Sequence, residues 1–167
     1  HSLVREYQDL SVLILSGSPI IGSFDFRSRV DFVRVPGVIK LRNGEYTSLN
    51  LGINFEQTIH MRAQIIKHTA DIFAPDIMIV DKEPMGLRGE VEDTLRMLKR
   101  RGTRLVLGLR DIMDDPSMLA PEWRRKKVMP ALSDLYDEIW VYGLPQICDP
   151  LKGLQVPRQV RRRMTYT

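Results

Sequence analysis

Cysteine is nearly absent from this chain: Cys148 is the only one among 167 residues. A single thiol rules out an intrachain disulfide and a cysteine-only zinc site, and it suits a reducing compartment. Cys148 therefore reads as a structural thiol. Histidine is almost as scarce, with His1, His60 and His68 alone, and none falls at the end of a strand-like run. There is also no Gly-x-Ser-x-Gly elbow and no His-Glu-x-x-His pair, which argues against a self-contained acyl-transfer or metallohydrolase site. A Walker loop and a Gly-x-Gly-x-x-Gly turn after a strand are missing too. Aromatic residues make up 7% of the chain and do not interleave with its basic clusters. That disfavours a stacking platform for single-stranded nucleic acid. No apolar run approaches the roughly 18–20 residues that cross a bilayer, and Ser2–Tyr7 has neither the apolar core nor the cleavage pattern of a signal peptide.

What is present is the composition of an ordinary globular domain. A hydrophobic share of 43% and a charged share of 28% are typical, and the length predicts one domain with one core. The net charge of +4 is modest, but the basic residues gather in Lys99-Arg100-Arg101, in the run from Arg124 to Lys127 and in Arg161 to Arg163. Such clusters are solvated faces, or they attract phosphates of a lipid surface or of nucleic acid; the last predicts a steep salt dependence of binding.

The segment that organises the rest runs from Leu105 to Pro116. Leu105-Val-Leu-Gly-Leu109 is an unbroken apolar run that stops abruptly at Arg110-Asp111, as expected of a strand buried on both faces of a parallel sheet. Val12–Leu15 and Ile77–Val80 read as further buried strands, Val30–Val33 as an outer strand, and Glu138–Val141 as a strand ending at Tyr142-Gly143. Arg163–Tyr166 closes the series. Between them the periodicity predicts helices. Ser2–Gln8 puts Leu3, Val4 and Tyr7 on one face. Asn54 caps a helix with a stripe of Ile59, Ala63, Ile66, Ala70 and Phe73. Gly86-Leu-Arg-Gly89 opens a helix to about Arg100, and Glu122–Tyr136 forms another, kinked at Pro130. Pro145–Cys148 makes one helical turn. The passage from Pro36 to Asn54 is a long loop with a hairpin signal at Arg42-Asn43-Gly44-Glu45. His60 and His68 lie off the helix stripe and read as surface residues.

Alternating strands and helices define an α/β fold, a Rossmann-like parallel sheet with helices on both faces. Right-handed crossovers bring the carboxyl ends of the strands to one edge, where ligands bind in such sheets. That edge would collect Ser16, Gly17 and Ser18, then Asp81, Lys82 and Glu83, then Arg110 and Asp111, and Tyr142 with Gly143. Gly86 follows in the turn after the second of these groups, where the free N–H groups of a helix start would hold a carboxylate or phosphate. Ser16–Ser18 reads equally well as a plain turn. The three charges from Asp81 to Glu83 are costly to place for packing alone, so they pair with one another or face a cleft. Asp111, Asp114 and Asp115 lack the spacing of a calcium loop, and no metal or cofactor is expected.

Three stretches together resemble a known family. Val80-Asp-Lys-Glu-Pro-Met-Gly-Leu-Arg-Gly-Glu90, Leu105-Val-Leu-Gly-Leu-Arg-Asp-Ile-Met-Asp-Asp-Pro116 and Tyr136-Asp-Glu-Ile-Trp-Val-Tyr-Gly143 are similar to bacterial glycosyltransferases distantly related to the N-acetylglucosaminyltransferase of the lipid-linked peptidoglycan precursor. The resemblance implies a GT-B architecture of two Rossmann-like domains. This chain would be the amino-terminal, acceptor-binding one, and the nucleoside diphosphate sugar would bind mainly to a donor domain after Thr167. It also implies a first strand and glycine-rich loop before Ser2, placed between the strands at Val12 and Ile77. Without that strand two sheet edges stand unpaired, a route to dimers. His1 does not match the histidine of that family, because no glycine loop precedes it.

For the whole enzyme the resemblance implies metal-independent hexosyl transfer to a hydroxyl acceptor, in the cytoplasm and with peripheral contact to the membrane; this domain alone should be inactive. Asp81, Glu83 and Asp111 would accept hydrogen bonds from acceptor hydroxyls, while Arg110 and Lys82 would hold a phosphate or neutralise those acids. The alternative is a non-catalytic regulatory or ligand-binding module of doubly wound fold, such as a receiver-like domain with Asp81 as phosphoacceptor. Nucleic acid is the least favoured partner.

Overall fold

A computed structural model describes residues 2–42, 45–110, 121, 123–126, 128–147 and 149–167. The chain divides into two compact units, residues 1–68 and 69–167.

The first unit opens with a short helix, α1 (Ser2–Glu6). Five residues are too few to hold a helix by propensity, and two features fix this one. Val4 is buried, and the Arg29 guanidinium donates to the carbonyls of Val4, Tyr7, Gln8 and Leu10, in the helix and just after it. The predicted apolar face is only partly realised, since Leu3 and Tyr7 stay exposed. Strand β1 (Val12–Ser16) pairs in parallel with β2 (Val30–Arg34), from Val12 opposite Val30 to Ser16 opposite Arg34. Every residue of β1 is only half-buried, which corrects the expectation of a fully buried strand. A strand with one ladder partner keeps an open edge, so apolar content alone does not bury it.

The predicted loop between Pro36 and Asn54 contains an antiparallel hairpin of β3 (Val38–Lys40) and β4 (Tyr46–Ser48). Its turn signal, Asn43-Gly44, lies outside the described residues. Helix α2 (Phe55–Phe73) carries the division between the units. Its start is a capping box: the Gln57 N–H donates to Asn54 Oδ1 at 2.8 Å and the Asn54 N–H to Gln57 Oε1 at 3.1 Å. Ile59, Ile66 and Ala70 of the stripe are buried and Ala63 half-buried, whereas Phe73 at the helix end is exposed. His60 and His68 are both exposed.

The second unit is a four-stranded parallel sheet flanked by helices, in the order β5 (Ile77–Asp81), β6 (Arg104–Arg110), β7 (Glu138–Tyr142) and β8 (Met164–Tyr166). The order is as expected of a Rossmann-like α/β fold. Leu105, Val106, Leu107 and Leu109 of β6 have no exposed surface. Ile77–Val80 departs from its predicted burial: Ile77 is 50% exposed and Ile79 46%, because β5 is the edge of this sheet.

Helix α3 (Glu92–Arg100) buries Thr94, Leu95 and Leu98. It starts three residues after the end of the 3-10 turn Leu87–Gly89 and not at that turn, so the Gly86–Gly89 stretch is not the helix amino terminus expected there. Gly102, at φ 86°, ends it: the Thr103 N–H reaches back to the Leu98 carbonyl at 3.1 Å and the Gly102 N–H to Lys99. Helix α4 (Val128–Asp134) carries Pro130 in its first turn, where proline is tolerated; residues 123–125 are also helical and residue 126 is a turn, so the helix expected over this stretch is interrupted ahead of Pro130. Trp123, Val128, Ala131, Leu132 and Leu135 are buried. Residues 145–147 form a turn, with the Ile147 N–H donating to the Leu144 carbonyl at 3.0 Å, and Cys148 lies outside the described residues. Helix α5 (Arg158–Arg161) leads into β8. Among the described residues no helix is long and apolar enough to cross a membrane.

Candidate functional site at the carboxyl rim

Parallel pairing places the last residues of β5, β6 and β7 side by side. Asp81 is opposite Gly108, and Arg110 is opposite Tyr142. Since side chains alternate along a strand, Asp81, Gly108, Arg110 and Tyr142 share one face of the sheet. The Arg110 guanidinium lies 3.9 Å from the Asp81 carboxylate, with side chains 65% and 64% exposed. An ion pair this long and this wet contributes little to stability. Packing therefore does not account for these two charges at the end of an apolar sheet.

Tyr142 completes the group. Burial, and after it the Asp81 carboxylate, raises its phenol above the usual tyrosine range. The ring comes close to the backbone of Gly108: a Cβ built there would stand 2.6 Å from the phenol oxygen. Gly108 is the residue that sequence reasoning missed. Its signal was present as the single glycine within an otherwise aliphatic run, since a glycine inside a strand marks close approach.

The chain leaves β5 through a tightly wound loop. Lys82, Gly86, Arg88 and Gly89 all have positive φ, and the two that are not glycine are costly conformations that the surroundings must hold. The Lys82 N–H donates to the Gly108 carbonyl at 2.7 Å. Glu83 is met by Lys126 at 3.3 Å, a partner the sequence placed only in a basic cluster. Pro84 offers its carbonyl to the buried Tyr136 hydroxyl at 2.5 Å. Gly86 cannot be replaced cheaply: its φ is 65°, and an added Cβ would lie 3.0 Å from the Glu90 side chain. Glu90 also accepts the Leu87 N–H at 3.3 Å, closing the turn. Of the expected charges, then, Asp81 turns to the rim with Arg110, while Glu83 is engaged within the loop wall.

Ser16, Gly17 and Ser18 belong to the first unit. There the Ser16 hydroxyl accepts the Ser18 N–H at 3.1 Å and the Ser18 hydroxyl accepts the Ile20 N–H at 3.4 Å, the pattern of serine-stabilised turns. Gly17 gives room to Arg62, a largely buried arginine of α2 whose Nη1 bonds the Pro36 carbonyl at 2.7 Å. These contacts give the glycine and the serines a local structural role. Asp111 lies outside the described residues. Among the described residues no group of three or more His, Cys, Asp or Glu is arranged to hold a metal ion.

No protein-family model, no curated protein and no solved structure matches this chain.

Proposed function

We propose that this chain is the acceptor-binding domain of a glycosyltransferase of the GT-B type, holding a hydroxyl-bearing acceptor at the carboxyl rim of its four-stranded sheet. The observation that supports this reading is the convergence of Asp81, Arg110 and Tyr142 from three adjacent parallel strands, with the two charges too exposed and too far apart to be there for stability. The motif resemblance supplies the reaction. In this reading the Asp81 carboxylate accepts hydrogen bonds from acceptor hydroxyls, and Arg110 donates to an acceptor oxygen or phosphate. Deprotonation of the acceptor and stabilisation of the departing diphosphate are the tasks of a general base and of donors outside this rim. The nucleoside diphosphate sugar would be held mainly by residues beyond the 167 of this sequence.

The test is a titration of the isotopically labelled chain followed by amide resonances. A hydroxyl-rich probe such as methyl β-D-glucopyranoside should move the Asp81, Gly108, Arg110 and Tyr142 amides, and the Asp81→Asn variant should weaken that response. UDP-N-acetylglucosamine should not be turned over by the chain alone. Rim amides that stay still at high millimolar probe, in a folded sample, would end the acceptor reading. Stoichiometric labelling of Asp81 by acetyl phosphate would instead favour a receiver-like module.

A further inference from the structure

Gly108 is placed where a glycine weakens the structure it belongs to. It sits inside the most buried strand of its sheet, flanked by Leu107 and Leu109, both without exposed surface. A β-branched residue would be the better strand former at that position. The neighbouring strand explains the choice. Tyr142 is opposite Arg110, two positions further along, and its ring turns back across the sheet. The would-be Cβ of Gly108 lies 2.6 Å from the phenol oxygen, 2.9 Å from Cε2 and 3.0 Å from Cζ. Gly108 is also the register partner of Asp81, so the ring tip ends over the residue that lies beside the carboxylate's own position. Even so, Tyr142 is 42% exposed. The ring is thus seated on the backbone and still open to a ligand, on the same face of the sheet as the Asp81–Arg110 pair.

We infer that Tyr142, seated by Gly108, is the specificity-determining residue of the rim and selects ring-shaped polyhydroxylated ligands over open-chain ones. A saturated ring carrying equatorial hydroxyls has an apolar C–H face that packs against an aromatic ring, while its edge hydroxyls reach Asp81 and Arg110. A flexible chain of the same hydroxyl count loses rotamer freedom to make the same contacts. The inference rests on the rim being the ligand site, as proposed above, and adds the class of ligand and the residue that reads it.

The experiment compares myo-inositol and methyl β-D-glucopyranoside with sorbitol, by amide titration of the 167-residue chain. The cyclic probes should bind about fivefold more tightly than sorbitol, the scale of one aromatic packing contact. Tyr142→Ala should bring that ratio close to one. Tyr142→Phe should keep it, because the ring remains. Gly108→Ala should abolish the preference by displacing the ring, and the alkaline titration of Tyr142 should then move down towards an ordinary phenol. Asp81→Asn should weaken all three probes alike. A preference that survives Tyr142→Ala overturns the inference, and the acceptor reading still stands if Asp81→Asn weakens binding. Absence of any rim response to all three probes defeats the acceptor reading, and the inference with it. Should Gly108→Ala fail to fold, the contrast between Tyr142→Ala and Tyr142→Phe decides alone.

Discussion

Strands β5 and β6 are neighbours of almost equal apolarity, yet one is sealed and the other is not. From Leu105 to Leu109 every residue of β6 is buried, whereas β5 exposes Ile77 and Ile79 on one face and buries only Val80 fully. The difference comes from position in the sheet order and not from composition. With a partner on each side, β6 has no free ladder groups, and β5 has a partner on one side only. Hydrophobic run length therefore identifies a strand, while the topology decides how much burial that strand obtains.

The largest expected effect separates these two strands directly. Leu107→Ala in β6 should cost about 2–5 kcal/mol in urea unfolding, whereas Ile79→Ala in β5 should cost less than about 1.5 kcal/mol, since roughly half of that side chain is already in water. Equal losses would dissolve the distinction. The same edge carries an expectation of self-association through pairing of exposed strands; Ile79→Lys should leave the fold intact and lower the apparent mass in concentrated samples by sedimentation velocity.

A smaller effect tests how the rim is held. Tyr136→Phe removes the bond to the Pro84 carbonyl and should cost about 1–2 kcal/mol, because a buried acceptor is left unsatisfied. Burial keeps the Tyr136 phenol well above the usual tyrosine range. That proton is bound more tightly in the folded state, so its contribution is complete below the unfolded tyrosine value near 10 and is lost as pH rises beyond it.

Asp137 sits at the opposite end of the same strands. Desolvation pushes its carboxyl up, but the Leu105 N–H at 2.8 Å and Lys99 at 2.6 Å together outweigh that, and its net shift is downward. The stability it confers is present above the unfolded aspartate value of about 3.9 and fades as pH falls through the lower folded value. Asp137→Asn should therefore be less stable at neutral pH, and its deficit should close below about pH 4; a deficit that persists at acid pH would show that the charge is not what matters. The smallest effect is spectroscopic: Asp81→Asn should lower the alkaline midpoint of Tyr142 slightly, towards an ordinary phenol, because one of the two causes that raise it is gone.

Much of this was legible from residue order. The α/β alternation, the helix cap at Asn54, the helix end near Arg100 and the strand at Glu138–Val141 all follow from local chemistry that acts within a few residues. The features missed depend on distant partners. The exposure of Ile77 and Ile79 needs the strand order, and the start of α4 just before Pro130 needs the packing of Val128, Ala131 and Leu132. For the rim, the sequence named Asp81, Arg110 and Tyr142 as strand ends, and the structure brings those three together. It did not foresee that Glu83 would meet Lys126, or that Gly108 would be the seat of Tyr142. Both contacts join segments more than thirty positions apart, beyond the reach of any periodicity.

The bond from the Tyr136 hydroxyl to the Pro84 carbonyl has a consequence for how occupancy of the rim could be sensed. It ties the loop that follows Asp81 to a side chain with no exposed surface. In the proposed reading, a shift of Pro84 on loading would lengthen or relieve that tether, and the interior phenol would act as an internal gauge of the loop. Its hydroxyl, on a side chain without exposed surface, would register events at the surface without itself touching the visitor.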